Sequence, residues 1–192
     1  MPSRTLDPRR GWPPITPETK FLSFDVEANG LHGPAFAVGA VLMRADEKVL
    51  DEFTGRSPIK GEVDPWVKAN VLPAIKNMPE DYPNAKALRE AFWQWYRKAD
   101  ADYVVVSNGY PVEMRFLIAA QEDDLEERYW QHPLPLLELN SLLLQVNAES
   151  RHGLVADKLT GHAEAKHHPR YDAWVSVLSA IKALKLSGRL KA

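Results

Sequence analysis

The sequence predicts a mixed α/β layer fold, and three observations predict it. Residues 21–54 carry three strand patterns in a row with short links. Helical and strand patterns alternate after them, and no repeat or change of composition divides the 192 residues. A chain of this length fits one domain. With 45% hydrophobic and 26% charged residues it can bury a sizeable core, which excludes a mainly disordered protein.

Residues 1–18 hold five prolines and three arginines without an apolar period, and read as an extended, flexible arm before a single domain over 19–192. Phe21 to Glu27 alternates as a strand must, with Leu22, Phe24 and Val26 on one face and Ser23, Asp25 and Glu27 on the other. Asn29-Gly30 marks a turn. Ala35–Met43 is a nearly continuous apolar run, hence a buried strand, and Lys48–Thr54 pairs with it to complete an antiparallel meander. Asp64-Pro65 opens a helix, with Asp as cap and Pro at the first helical position. Leu88, Ala91, Phe92 and Trp95 recur at helical spacing, so Asn84–Ala99 is an amphipathic helix. Tyr103–Ser107 is a short strand, and the break at Asn108–Pro111 leads into a helix over Val112–Gln121. A last strand over Leu134–Leu139 and a helix from Asn140 to Val146 follow. Residues 148–168 are polar and lack a period, and a final helix starts near Pro169 with Trp174, Val177, Leu178 and Ile181 on one face.

Composition narrows the function classes. Cysteine is absent, which excludes disulfides, thiolate zinc sites and a cysteine nucleophile. A net charge of −2 argues against a broad basic surface for duplex nucleic acid, but leaves room for a small site that metal ions neutralise. No apolar run is long enough to span a bilayer and no signal-peptide core opens the chain, so the expected location is the cytoplasm, with no membrane partner.

Three groups of residues carry candidate chemistry. Asp25 and Glu27, two apart on a strand, point to the same side, where their carboxylates repel unless a cation or proton separates them. Taken alone, such a pair is also what a solvated strand face looks like; its place at the end of an apolar strand beside a glycine turn favours a site. Glu113 lies in the first turn of a helix, where an acid is also stabilised by the helix dipole. His167 precedes the final helix and Asp172 sits in its first turn, with small residues Ala173, Ser176 and Ser179 allowing close approach to a sheet. A loop histidine can relay a proton near neutral pH. The spacing of His152, His162, His167 and His168 matches no zinc pattern.

Jointly these residues resemble the DEDDh group of 3′-to-5′ exonucleases. Phe24-Asp25-Val26-Glu27-Ala28-Asn29-Gly30-Leu31 matches that family's strand ending D-x-E-x-x-G-L, and His167 through Asp172-Ala173 matches its H-x-x-x-x-D-A. The middle block, Ser107-Asn108-Gly109-Tyr110-Pro111-Val112-Glu113, is similar to the family's H-N-x-x-F-D, with serine for histidine, one residue added and Glu113 for the usual Asp. The resemblance covers roughly residues 20–185.

The resemblance implies a ribonuclease H-like fold: a central mixed five-stranded sheet, three antiparallel strands followed by parallel ones, flanked by helices. It implies two divalent ions, Mg2+ or Mn2+, held by Asp25, Glu27, Glu113 and Asp172, with His167 accepting a proton from the attacking water. Such ions, about 3.5–4 Å apart, activate water and stabilise the leaving 3′-oxygen. Ala28, Asn29, Gly30, Leu31 and Asn108 are implied substrate contacts, with Leu31 wedged against the terminal base and Asn108 along the strand path. The implied activity releases nucleoside 5′-monophosphates from the 3′ ends of single-stranded DNA or RNA or short oligonucleotides. A binding protein of the same fold without catalysis and a phosphohydrolase of small nucleotides are the alternatives. Trp66, Trp93, Trp95, Trp130 and Trp174 fit core positions, with Trp93, off the apolar stripe, the candidate for stacking on a base. An exposed apolar helix stripe would allow a homodimer.

Overall fold

The structure, a computed structural model, describes residues 14–133, 135–159 and 167–190. Most of the expected N-terminal arm (residues 1–13), Leu134 and His162 lie outside the described residues.

The alternation over the first strand pattern builds β1 (Lys20–Ala28), and the two runs after it build β2 (Ala35–Arg44) and β3 (Val49–Arg56). β1 pairs antiparallel with β2, and β2 with β3. The chain then makes α1 (Pro65–Asn70) and α2 (Ala85–Ala99), capped by the side chains of Asp64 and Asn84, whose oxygens accept backbone N–H groups of the first turns. β4 (Tyr103–Val106) returns parallel to β1, and β5 (Leu136–Glu138) lies parallel to β4. The sheet order is β3-β2-β1-β4-β5, a mixed sheet of three antiparallel strands followed by parallel ones. Between β4 and β5 lie α3 (Met114–Glu122) and α4 (Leu125–Arg128); α5 (Leu139–Gln145), α6 (Arg151–Leu154) and α7 (Pro169–Leu186) follow. Among the described residues, no helix is long and apolar enough to cross a membrane.

The period of two along β1 divides the core. Leu22, Phe24 and Val26 join Val38, Leu42 and Val104 under α2 and α3. There Phe92 is the hub, 5.4 Å from Phe24 and 5.1 Å from Phe116 between ring centroids. Burying each such ring stabilises the fold by about 1.5–3 kcal/mol. On the other face, Phe21 joins Val41, Met43 and Val105 under α7, whose Val177, Ile181 and Leu184 complete the second core. A third, smaller cluster packs α1 through Val67 and Val71 onto Phe36 and Ala37.

α7 is buried along most of its length and can lie this close because it meets the sheet with small side chains. Its start crosses β2 at Gly39, where a Cβ would stand 2.1 Å from the Arg170 nitrogen and 2.4 Å from the Pro169 carbonyl carbon. Gly39 is the β2 partner of Asp25, so this one missing side chain sets the first turn of α7 over the acidic end of β1.

Three local expectations are corrected. The helix expected over Val112–Gln121 begins at Met114, after a wide π-type turn over Gly109–Glu113, because Tyr110 in that turn has an extended backbone (φ −111°, ψ 137°) that a regular helix does not accommodate. The aperiodic stretch after residue 148 holds two short helical pieces, α6 and a 3₁₀ turn over Ala156–Lys158, each too brief for a period to show. Trp93 is buried, with the Arg128 guanidinium 5.3 Å over its ring, so it belongs to the core and presents no surface for a base.

Candidate active site

The site follows from where β1 outruns its neighbour. β1 and β4 pair from Phe21 to Ser23, and beyond that point the β1 edge is left to the π-type turn. Glu113, at the end of this turn, is buried and accepts a hydrogen bond from the Val26 backbone N–H, satisfying a donor that a strand would otherwise take. The turn thus holds an acid against the first strand.

Asp25 and Glu27 point to the α7 side of the sheet. Asp172, one turn into α7 and 3% exposed, faces them. His167 adopts a left-handed backbone (φ 68°), which turns its N–H onto Asp172 Oδ2 at 2.8 Å. Glu27, His167 and Asp172 each offer one ligand atom within 4.8 Å of the others. Asp25, Glu27, Glu113, Asp172 and His167, spread over 148 positions of sequence, thus meet at one end of the sheet.

The electrostatics are those of an under-neutralised pocket. Burial pushes the Asp25 carboxyl well above its usual range, and the charges of Asp172, Glu27 and Glu113 push it further. Burial, then Asp172 and Glu113, raise Glu27 to about 8; burial raises Glu113 to about 7. The cation opposing all three is Arg151 of α6. One Arg151 nitrogen donates to the hydroxyls of Ser107 and Ser176, both at 2.8 Å, and stands 4.0 Å from Asp25 Oδ1; the other donates to Asp172 Oδ1 at 2.7 Å. One guanidinium does not balance four carboxylates. An all-oxygen set of buried acids with one ring nitrogen beside it is the donor chemistry that divalent magnesium or manganese takes, so these residues fit such ions.

No protein-family model matches the chain, and no curated protein matches it by sequence. Among solved structures it is similar to exonuclease X in complex with 5′-overhanging duplex DNA. The TM-score is 0.57 at 16% identity, over 88% of this chain and 93% of that one. The fold is ribonuclease H-like. In this sheet Asp25 and Glu27 lie at the end of the first strand, on the face that α7 covers.

The five expected substrate contacts divide. Leu31 is 66% exposed and lines a separate pocket with Ala28, Val112 and Arg115, and Gly30 turns the chain with φ 77°. Ala28 sits where the pairing of β1 and β2 slips by one residue. The Asn29 side chain is fully engaged, donating to the Glu62 carbonyl at 2.9 Å and accepting from the Asp64 N–H at 2.8 Å, so it ties the end of β1 to the start of α1. Asn108 accepts from the Asn140 amide at 2.7 Å on the wall of a cavity of about 600 Å³ that also reaches Arg151, His167 and Asp172.

Two site residues escaped sequence reasoning. Arg151 lies in the stretch without a period, and no local pattern connects it to acids 21 and 126 positions away. Trp66 is 55% exposed and stands edge-on to the His167 ring at 5.2 Å between centroids. Its position next to the Asp64-Pro65 helix start, where few side chains are buried, was the available signal.

Proposed function

We propose that the protein is a metal-dependent 3′-to-5′ exonuclease of the DEDDh type that removes nucleoside 5′-monophosphates from single-stranded DNA or RNA ends. The observation that carries this reading is the meeting of Asp25, Glu27, Glu113, Asp172 and His167 in one buried cluster whose negative charge Arg151 alone does not offset. A DNA-bound exonuclease of the same fold supports a nucleic-acid substrate.

In this reading Asp25, Glu27, Glu113 and Asp172 hold two divalent ions, Mg2+ or Mn2+. When bound, such ions lower the pKa of water and stabilise charge on the leaving oxygen. The chain's own residues do the rest. The His167 backbone N–H fixes Asp172, and the perpendicular contact with Trp66 limits where the His167 ring can turn. The ring, within reach of Glu27 and Asp172, accepts the proton of the attacking water. The exposed side chains of Leu31 and Trp66 bracket the terminal base in this reading, and stacking on Trp66 contributes about 1–3 kcal/mol. Asn29 holds the strand end and α1 in register, so that these two groups keep their spacing.

The test uses 5′-labelled single-stranded DNA and RNA with Mn2+, resolved by length over time, for wild type and Asp25→Ala. The expected result is a ladder shortening from the 3′ end with wild type alone. Hydrolysis of free nucleotides without shortening of either polymer would replace the reading with a small-nucleotide phosphohydrolase, and no turnover of polymer or nucleotide would refute catalysis here.

A further inference from the structure

Arg151 is the feature that the proposed chemistry does not use. It stands inside the acidic cluster, and its fixed partners come from three elements. Ser107 follows β4, while Ser176 and Asp172 are one turn apart on α7. Asp25 of β1 is at 4.0 Å. Both oxygens of Asp172 are already engaged, Oδ1 by Arg151 and Oδ2 by the His167 N–H. A cation entering between Glu27, His167 and Asp172 must therefore share or take an oxygen from one of these donors. The backbone N–H belongs to the chain and stays. The guanidinium is at the end of a flexible side chain, lines the 600 Å³ cavity beside the cluster, and is the donor that can leave.

We propose that Arg151 is exchanged between two anions: it holds Asp172 while the cluster lacks a divalent ion, and on ion entry it turns into the cavity to bind the substrate phosphate. Residues already present support both ends of the exchange. The Ser107 and Ser176 hydroxyls keep one guanidinium nitrogen anchored while the other changes partner. A guanidinium also matches phosphate through parallel N–H donors, which a lysine does not reproduce. Arg151 is thus a phosphate-binding residue whose availability is coupled to the ion. The inference rests on the proposed site but not on its turnover.

The test is calorimetric titration of the full-length protein at pH 7.5 with Mn2+, then of the Mn2+-saturated protein with a nucleoside 5′-monophosphate, for wild type, Arg151→Ala and Arg151→Lys. Removing the competitor should tighten Mn2+ binding by about five- to tenfold and weaken nucleotide binding by about tenfold or more. The lysine variant, which keeps the charge and is the safer folder, should bind Mn2+ with intermediate affinity and still lose most of the nucleotide affinity. Mn2+ affinity unchanged or weakened in both variants would overturn the exchange and leave Arg151 a structural tie. Unchanged nucleotide affinity would overturn the phosphate role. Wild type that binds Mn2+ and follows this pattern but degrades no polymer would refute the exonuclease reading while the exchange stands.

Discussion

The two faces of β1 differ by one residue step along the chain and by almost everything else. On one, Leu22, Phe24 and Val26 meet Phe92 and Phe116 in a packed apolar core. On the other, Asp25 and Glu27 meet Asp172 and Arg151, and burial raises the carboxyls because their charge has too little opposite charge near it. The first face stabilises the fold through area removed from water. The second is destabilising unless protons or cations occupy it. A rigid strand with one face in a core lets the other carry closely spaced acids without the chain giving way. That is how a sheet positions a charged site.

The largest effect belongs to the polar face: Asp25→Asn should lower exonuclease turnover by about a thousandfold or more, with the far-ultraviolet circular dichroism unchanged. On the apolar face, Phe92→Ala should cost about 3–5 kcal/mol in urea unfolding while the folded fraction keeps its activity. Loss of activity per folded molecule would show that the two faces are not separable. Gly39→Ala falls between them, because it pushes the start of α7 off the strand that carries Asp25. It should lower stability by about 1–3 kcal/mol and turnover as well, unlike a core substitution.

A smaller effect is pH-dependent. Glu27 and Glu113 hold their protons to about 8 and about 7 in the folded protein, against 4.5 for the ordinary group. The folded state therefore binds more protons than the unfolded one above pH 4.5. Without metal, the contribution of these two groups to stability is greatest at or below that pH and falls as pH rises toward 8. Glu27→Gln should flatten this decline in thermal melts recorded from pH 5 to 8. A decline of the same steepness in the variant would remove Glu27 from the account. The smallest effect is at the mouth: Trp66→Ala should raise KM for oligonucleotides about five- to tenfold and leave stability within about 0.5 kcal/mol.

What was legible in the sequence follows the range of the interactions. Period two in β1, the cap at Asp64 and the apolar stripe of α2 are written within a few residues, and the structure reproduces them with shifts of one or two positions. The antiparallel meander was legible in the same way, whereas the parallel placement of β4 and β5 in one sheet with it came from the family resemblance. Local patterns placed Asp25, Glu27 and Asp172 on a strand face and a helix turn, but their meeting depends on Gly39, one small residue inside an apolar run. Glu113 reaches the site through a turn wider than a helix start, which spacing rules for regular helices do not describe. Arg151 was hidden because its partners are tertiary. Trp93 is buried and Trp66 exposed, the reverse of the expectation, because being off a stripe measures distance from one helix face and not exposure to solvent.

In the proposed reading, divalent ions complete the acidic face of β1. Thermal melting at pH 8 with and without Mn2+, for wild type and Asp25→Asn, tests it most directly. The account predicts that Mn2+ raises the wild-type midpoint by several degrees, as ion binding relieves the mutual repulsion of the acids, and that the variant responds much less. Equal responses in both proteins, or none in wild type, would contradict it.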